Sequence, residues 1–220
     1  MGAVVVFGTG DFASLAHFYL RHDSPHEVVG FTVDAEYLPA SGEFEGLPVV
    51  PFAEVTTRFP PASCAAFAPL SHLRMNGVRE RVYAALKAAG YELISYVSSR
   101  ATRFPGTAIG DNCFILEDNT LQPFTRVGSN VVMWSGNHLG HHSRIDDHAF
   151  VASHVVISGH CTIGRNAFIG VNATLRDGIT IGDRTFVTMG SVVTHDTAAG
   201  SVVKGNPARA SRVTSDRLER

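Results

Sequence analysis

Six of the eleven histidines fall close together, at positions 138, 141, 142, 148, 154 and 160. An imidazole titrates near neutral pH and can take a proton from an attacking amine or hydroxyl; several held together can bind zinc. A second chemistry is written at the start of the chain. Gly8, Gly10 and Ala13 follow the apolar run AVVVF (3–7) in the pattern G-x-G-x-x-G/A, and Asp34 lies near the distance at which a carboxylate meets a ribose hydroxyl. Glycines let the backbone approach a phosphate, and the helix N-terminus behind them offers free N–H groups and a positive dipole. This pattern points to a nucleotide-containing ligand ahead of NAD, because residues 1–97 hardly hold the two halves of a full dinucleotide fold. A merely structural tight turn is the alternative. The three cysteines, Cys64, Cys113 and Cys161, read as small buried hydrophobes rather than as metal or redox groups.

The element that must position the histidines is a repeat. From Ile109 to Val193 every sixth residue is Ile, Leu, Val or Met, fifteen in succession, which chance does not produce. Two residues before each aliphatic stands a second inward position, mostly small: Cys113, Thr125, Ser143, Ala149, Cys161, Ala167, Ala173. Small beside large is what a narrow core requires. Similarity is strongest at eighteen residues, so three hexads make one triangular coil, and the frame predicts a left-handed parallel β-helix of about five coils, about 24 Å tall at the ~4.8 Å strand spacing. Such a coil departs from the usual right-handed crossover.

The repeat frame absorbs most of the histidines. His142, His148, His154 and His160 occupy the position three residues after the aliphatic, where other hexads carry Asn112, Asn130, Asn166 or Gly178. That position is the corner of the triangle, where left-handed backbone angles favour Asn and Gly and admit His. His141 stands one residue before the corner, where its counterparts are mostly short, and the frame does not explain it. It is the candidate general base, with His138 as a positioning group nearby. His142 and His160, eighteen apart, stack on one edge and keep a zinc site open as an alternative.

Residues 1–97 read as an α/β, Rossmann-like βαβ domain: strands at 3–7 and 28–33, a helix opened by Gly8 to Ala13 and running to about Leu20, a further strand at 63–69, a helix at 76–89 and a last parallel strand, YELISYV, at 91–97. Residues 98–106 read as a linker, 107–196 as the β-helix, and 197–220 as a cap with a solvated end, SDRLER. A net charge of −2 and a pI near 6.6 give no nucleic-acid footprint. No apolar run reaches membrane-spanning length and no signal peptide precedes the first strand, so a cytoplasmic location with no membrane partner is expected.

The motifs VVFGTG (5–10), GHHSRI (140–145), IGRNAFIGVNA (163–173) and VVKGNPAR (202–209) resemble the sugar acyltransferases of the hexapeptide-repeat superfamily. Within it they are similar to the sialic acid O-acetyltransferases and to the nucleotide-linked amino-sugar N-acetyltransferases of the bacillosamine and perosamine type. The resemblance implies a homotrimer with acetyl-CoA lying between neighbouring β-helices and no required metal. It implies that His141 is the base that deprotonates the sugar amine, with His138 and His142 as positioning groups. Gly159, Val171, Met189 and Gly190 then fall where the cofactor arm is contacted, Lys204 or Arg209 meets its phosphates, and Gly8, Gly10 and Asp34 hold the nucleotide of a 4-amino-4,6-dideoxysugar.

One departure from the family pattern carries a question. Related enzymes follow this histidine with a carboxylate that raises its basicity, and here His142 follows instead. Asp146, Asp147 or a carboxylate from an adjacent subunit substitutes, or the amine arrives unprotonated. The rival functions are an O-acetyltransferase on a sugar hydroxyl, a zinc-dependent hydratase resembling γ-carbonic anhydrase, and a non-catalytic trimeric scaffold.

Overall fold

Val4, Val5 and Val6 are completely buried because the strand that carries them is covered on both faces, which is why its sequence is continuously apolar rather than alternating. The computed structural model describes residues 2–218. In it β1 (Ala3–Phe7) leads into α1 (Asp11–Asp23) and β2 (Glu27–Val33). A short hairpin follows, β3 (Glu43–Phe44) with β4 (Leu47–Pro51), then the single turn α2 (Val55–Arg58), β5 (Cys64–Phe67) and α3 (Gly77–Ala88). The sheet order is β3-β4-β2-β1-β5, parallel except for the β3–β4 pair. The β3–β4 hairpin was not legible in the sequence, where residues 43–51 show no sustained period.

The β-helix is the left-handed form expected. Its strands are two residues each, stacked in register at eighteen-residue steps. Three flat faces result, of eight, six and five strands. Ile115, Leu121, Met133, Leu139, Ile157 and Ile163 are completely buried in the lumen. At the corners the backbone turns left-handed, with φ of +59° at His142, +64° at His148, +58° at His154 and +56° at His160, as at Asn112, Asn130, Asn166 and Asn172.

Two boundaries differ from the sequence reading. Residues 98–106 are not a free linker: Thr102–Arg103 pairs with Thr120–Leu121 as a wall strand of the first coil. Arg103 occupies a hexad position where an aliphatic was needed to reveal it. The segment 91–97 is likewise divided. Leu93 bridges to Ala66 in the N-terminal sheet, whereas Tyr96–Val97 pairs with Phe114–Ile115 in the β-helix, so the chain passes from one core to the other without a spacer. At the far end Ser201–Gly205 and Ala208–Thr214 form an antiparallel hairpin that extends the first face. Of the tail expected as solvated, Ser215 is buried, and Glu219 and Arg220 lie outside the described residues.

The N-terminal part docks on the first face through aromatics. Phe114, Phe150, Phe168 and Phe186 recur in the outward position of that face, with Phe150, Phe168 and Phe186 stacked at 5.5 and 4.5 Å. Phe12 of α1 meets Trp134 edge-on at 5.5 Å, and Phe67, Phe114, Val132 and Leu20 share one apolar cluster. The two parts therefore have a common core. Arg79 of α3 is buried within the junction: Nη2 donates to the carbonyls of His148 (2.7 Å) and Ala149 (3.1 Å), Nε to Asn130 (3.2 Å), and Nη1 to Ser71 (2.9 Å). Burial lowers the Arg79 pKa to about 9, which leaves it charged at neutral pH.

Asp23, at the end of α1, ties that helix to the first coil. Its Oδ2 accepts from Ser99 N–H (2.9 Å), Tyr96 Oη–H (2.6 Å) and Ser98 Oγ–H (3.3 Å). Hydrogen bonds from Ser99 first, then Tyr96, lower its pKa to about 2. A carboxyl held below its unfolded value contributes stability that is present above about pH 4 and is lost as pH falls towards 2. The urea midpoint is therefore expected to fall across that window, and Asp23→Asn is expected to flatten this part of the curve. A profile unchanged by Asp23→Asn would show that other groups carry the acid sensitivity.

Candidate active site

His141 stands exposed on the edge between the second and third faces. The hexad fixes its backbone: its N–H donates to Gln122 Oε1 at 2.9 Å, across one coil. Its Nδ1 lies 3.1 Å from His142 Nδ1, and its ring meets that of His160 edge-on at 5.1 Å. Behind it, Phe124, His142 and His160 form a ring column, 4.7 Å and then 4.8 Å between centroids. Phe124 is 71% exposed.

Gly159, one coil above His141, has a use that sequence reasoning missed. A Cβ there would stand 2.7 Å from His141 Cε1, 2.8 Å from His141 Nε2 and 2.9 Å from Asp177 Oδ1. No side chain fits, so the imidazole leans over a bare stretch of backbone. The eighteen-residue spacing 141, 159, 177 was visible in the sequence but was not followed.

The remaining candidates divide between edges. His138 is half-buried on the second face, paired in register with Thr120 and Val156. Val171 and Met189, the latter 77% exposed, and Gly190 lie on the edge before that face, whereas His141 and Gly159 lie on the edge after it. One β-helix thus does not bring them together. Lys204 and Arg209 face each other across the C-terminal hairpin, and Arg209 borders a cavity of about 370 Å³ with His195, on the edge of His141, Gly159 and Asp177. Asp146 and Asp147, the carboxylates first considered for His141, are placed elsewhere. Asp146 lies 3.6 Å from Arg144, and Asp147 pairs with Arg165 at 2.7 Å and accepts from Ser129 N–H.

One ring nitrogen from each of His141, His142 and His160 lies within 4.8 Å of the others. However, the His142 and His160 rings lie nearly parallel, at 11°. A tetrahedral zinc requires lone pairs converging at about 2.0–2.1 Å, so stacked rings would have to turn to meet it. Cys64, Cys113 and Cys161 are free and buried, and burial pushes the Cys113 thiol up to about 12. They are small core side chains.

A second concavity, about 740 Å³, opens at the carboxyl ends of β1, β2 and β5, the place where open α/β sheets bind ligands. Gly8, Gly10 and Asp34 all border it, with Glu36, Tyr37, Arg74 and Arg81. Gly8 adopts φ +117° and its N–H donates to Thr32 O, so this glycine shapes the turn and its own N–H is occupied. Asp34 is also engaged: its Oδ2 accepts from Arg81 Nη2 at 2.7 Å. Arg81 and Arg74 were missed because neither lies in the glycine motif; the fold brings them to it.

The family description "bacterial transferase hexapeptide (six repeats)" matches residues 160–195, within the uninterrupted frame described above. These residues carry the hexapeptide repeat of that description. Solved structures resemble the hexapeptide-repeat chain over nearly its whole length. PerB from Caulobacter crescentus, in complex with CoA and GDP-perosamine, aligns with a TM-score of 0.85 and 22% identity, covering 96% of this chain and 98% of that one. The acetyltransferase domain of PglB from Neisseria gonorrhoeae, in complex with acetyl coenzyme A, aligns at 0.81 and 19%, covering 94% and 98%. WeeI from Acinetobacter baumannii aligns at 0.72 and 22%, covering 96% and 100%. Among curated proteins the sequence finds no match. Among the described residues no helix is long and apolar enough to cross a membrane.

Proposed function

We propose that this hexapeptide-repeat protein is an acetyl-CoA-dependent N-acetyltransferase acting on the amino group of a nucleotide-linked 4-amino-4,6-dideoxysugar. The observation that carries the reading is His141 itself: an exposed imidazole, its backbone N–H held by Gln122 and its ring against His142, leaning over the side-chain-free backbone of Gly159. That arrangement presents a base on an exposed edge beside bare backbone. The amine nitrogen attacks the thioester carbonyl, its proton passes to the imidazole, the carbon–sulfur bond breaks, and the imidazolium returns the proton to the departing thiolate. Direct attack accords with the cysteines, which are buried and protonated.

The division of candidates between two edges supports a homotrimer. Gly159 from one copy and Val171, Met189 and Gly190 from its neighbour line a single groove only when two β-helices pack side by side. Exposed Val156 and Val171 on the intervening surface suit that packing. Lys204 and Arg209 are the cations available to the cofactor phosphates at the C-terminal end of the groove.

In the second cavity Arg81 and Arg74 are the phosphate partners, the start of α1 adds its dipole, and Asp34 orients the Arg81 guanidinium. PerB, which shares this fold, is seen with a nucleotide-linked amino sugar and CoA, and that accords with two separate sites here. The expected result of Arg81→Ala or Asp34→Ala is a rise of about tenfold in the KM for the nucleotide sugar with the KM for acetyl-CoA nearly unchanged. Equal shifts in both constants would show that the N-terminal cavity does not hold the acceptor.

The test of the whole reading is to incubate the protein with acetyl-CoA and UDP-, GDP- or dTDP-linked amino sugars, following CoA thiol release and the product mass. Release with one of them, and an acetylated product, is expected. No release with any, together with no stabilisation by acetyl-CoA in a thermal shift, would remove the reading. Acetylation of a hydroxylated analogue instead would identify an O-acetyltransferase using the same base.

A further inference from the structure

We propose that Asp177 is the positioning carboxylate of the His141 site, taking the place of an acidic neighbour in the sequence. The inference rests on the acyl-transfer reading above. It starts from the gap at Gly159. His141, Gly159 and Asp177 occupy the same edge position on three successive coils, and the middle one has no side chain. The two outer side chains lean into the space so left, to within 2.8 Å (Nε2) and 2.9 Å (Oδ1) of the same point.

Among the described residues, the other groups that contact His141 do not supply a negative charge. His142, at 3.1 Å, and His160, with its ring at 5.1 Å, are imidazoles that oppose a neighbouring imidazolium whenever they are protonated. Gln122 is neutral and is used by the His141 backbone N–H. Asp146 and Asp147 belong to arginine pairs beyond the edge. Asp177 faces the ring from the coil on the far side of the gap.

In the His141 tautomer that carries its proton on Nδ1, donated to His142 Nδ1, Nε2 keeps its lone pair towards the gap. The proton leaving the amine then arrives on Nε2, and the cation it creates faces the Asp177 carboxylate. An opposite charge at this range favours the protonated imidazole, so the acid required to return the proton to the thiolate is stabilised. A carboxylate two coils away in space thus does what an adjacent acidic residue would do. Gly159 is part of the same device, since any side chain there would separate the pair.

The decisive experiment joins two readouts on the wild type, Asp177→Asn and Asp177→Glu. In an NMR titration of the full-length protein, with the His141 ring assigned by its loss in His141→Ala, the His141 midpoint is expected to fall by about half a pH unit or more in Asp177→Asn. Asp177→Glu is expected to recover part of the shift. In steady-state kinetics kcat is expected to fall about tenfold in Asp177→Asn, with the KM for acetyl-CoA unchanged. An unchanged His141 titration overturns the proposal. So does a raised acetyl-CoA KM with kcat retained, which makes Asp177 a cofactor contact. If the wild type transfers no acetyl group, the acyl-transfer reading falls, and the titration still decides whether Asp177 acts on His141.

Discussion

Replacing His141 by alanine is expected to cut acetyl transfer by at least about 10²-fold, the usual loss for a missing general base. The effect should be confined to kcat. His141 projects from an edge, and its removal leaves the lumen column, the Phe124–His142–His160 stack and the Arg79 junction in place. Urea midpoint, Trp134 fluorescence and acetyl-CoA binding should therefore match the wild type. Turnover within a few-fold of wild type would remove His141 as the base; turnover lost together with the fold would say that the residue is structural. His142→Ala separates the two neighbours. It should cost less, because His142 meets His141 at Nδ1 and edge-on at 5.3 Å and takes no proton from the amine.

The largest effect on stability is expected from Arg79→Met, about 3–5 kcal/mol. The substitution keeps the apolar stem that α3 lays against the junction. It leaves the carbonyls of Asn130, His148 and Ser71 without their Arg79 donor, whereas Ala149 O keeps the bond from Val132 N–H. Each such orphaned acceptor costs about 1–3 kcal/mol, reduced where the structure relaxes. Equilibrium urea denaturation at fixed protein concentration measures the change. The loss should appear as separation of the N-terminal part from the β-helix, because the donors lie on α3 and most of the acceptors on the coils. A midpoint within about 0.5 kcal/mol of wild type would show that the aromatic contacts alone hold the two parts together.

The hexad was legible because its inward positions face a lumen too narrow for anything but one large and one small side chain per face. That constraint writes Ile115, Leu121 and Val127 into every sixth place. The corners were legible for a related reason: His142, His148, His154 and His160 adopt the positive φ that their counterparts Asn112 and Asn130 announce. Less was readable where the frame lost its aliphatic. Arg103 sits in a hexad position of the first coil, and residues 98–106 consequently looked like a linker although they form part of the wall. The recurring Phe114, Phe150, Phe168 and Phe186 were in view as part of the repeat, but whether an outward aromatic column faces solvent, a second copy or another domain is not encoded in its period.

Arg79 shows the same limit from the other side. At spacing 79, 82, 86 it lies on the buried stripe of α3, where pattern alone expects an apolar residue, and only the docked coils explain why a guanidinium belongs there. Asp34 and Arg81 are separated by 47 residues and meet only through the sheet.

The sequence by itself determined the period, hence the triangular coil, its lumen, its corners and the exposure of His141, because these follow from local geometry repeated every six residues. Only the tertiary structure decided which charges stand beside that histidine and which face of the β-helix is covered. Those relations join residues on separate coils and domains, through space that no single period spans.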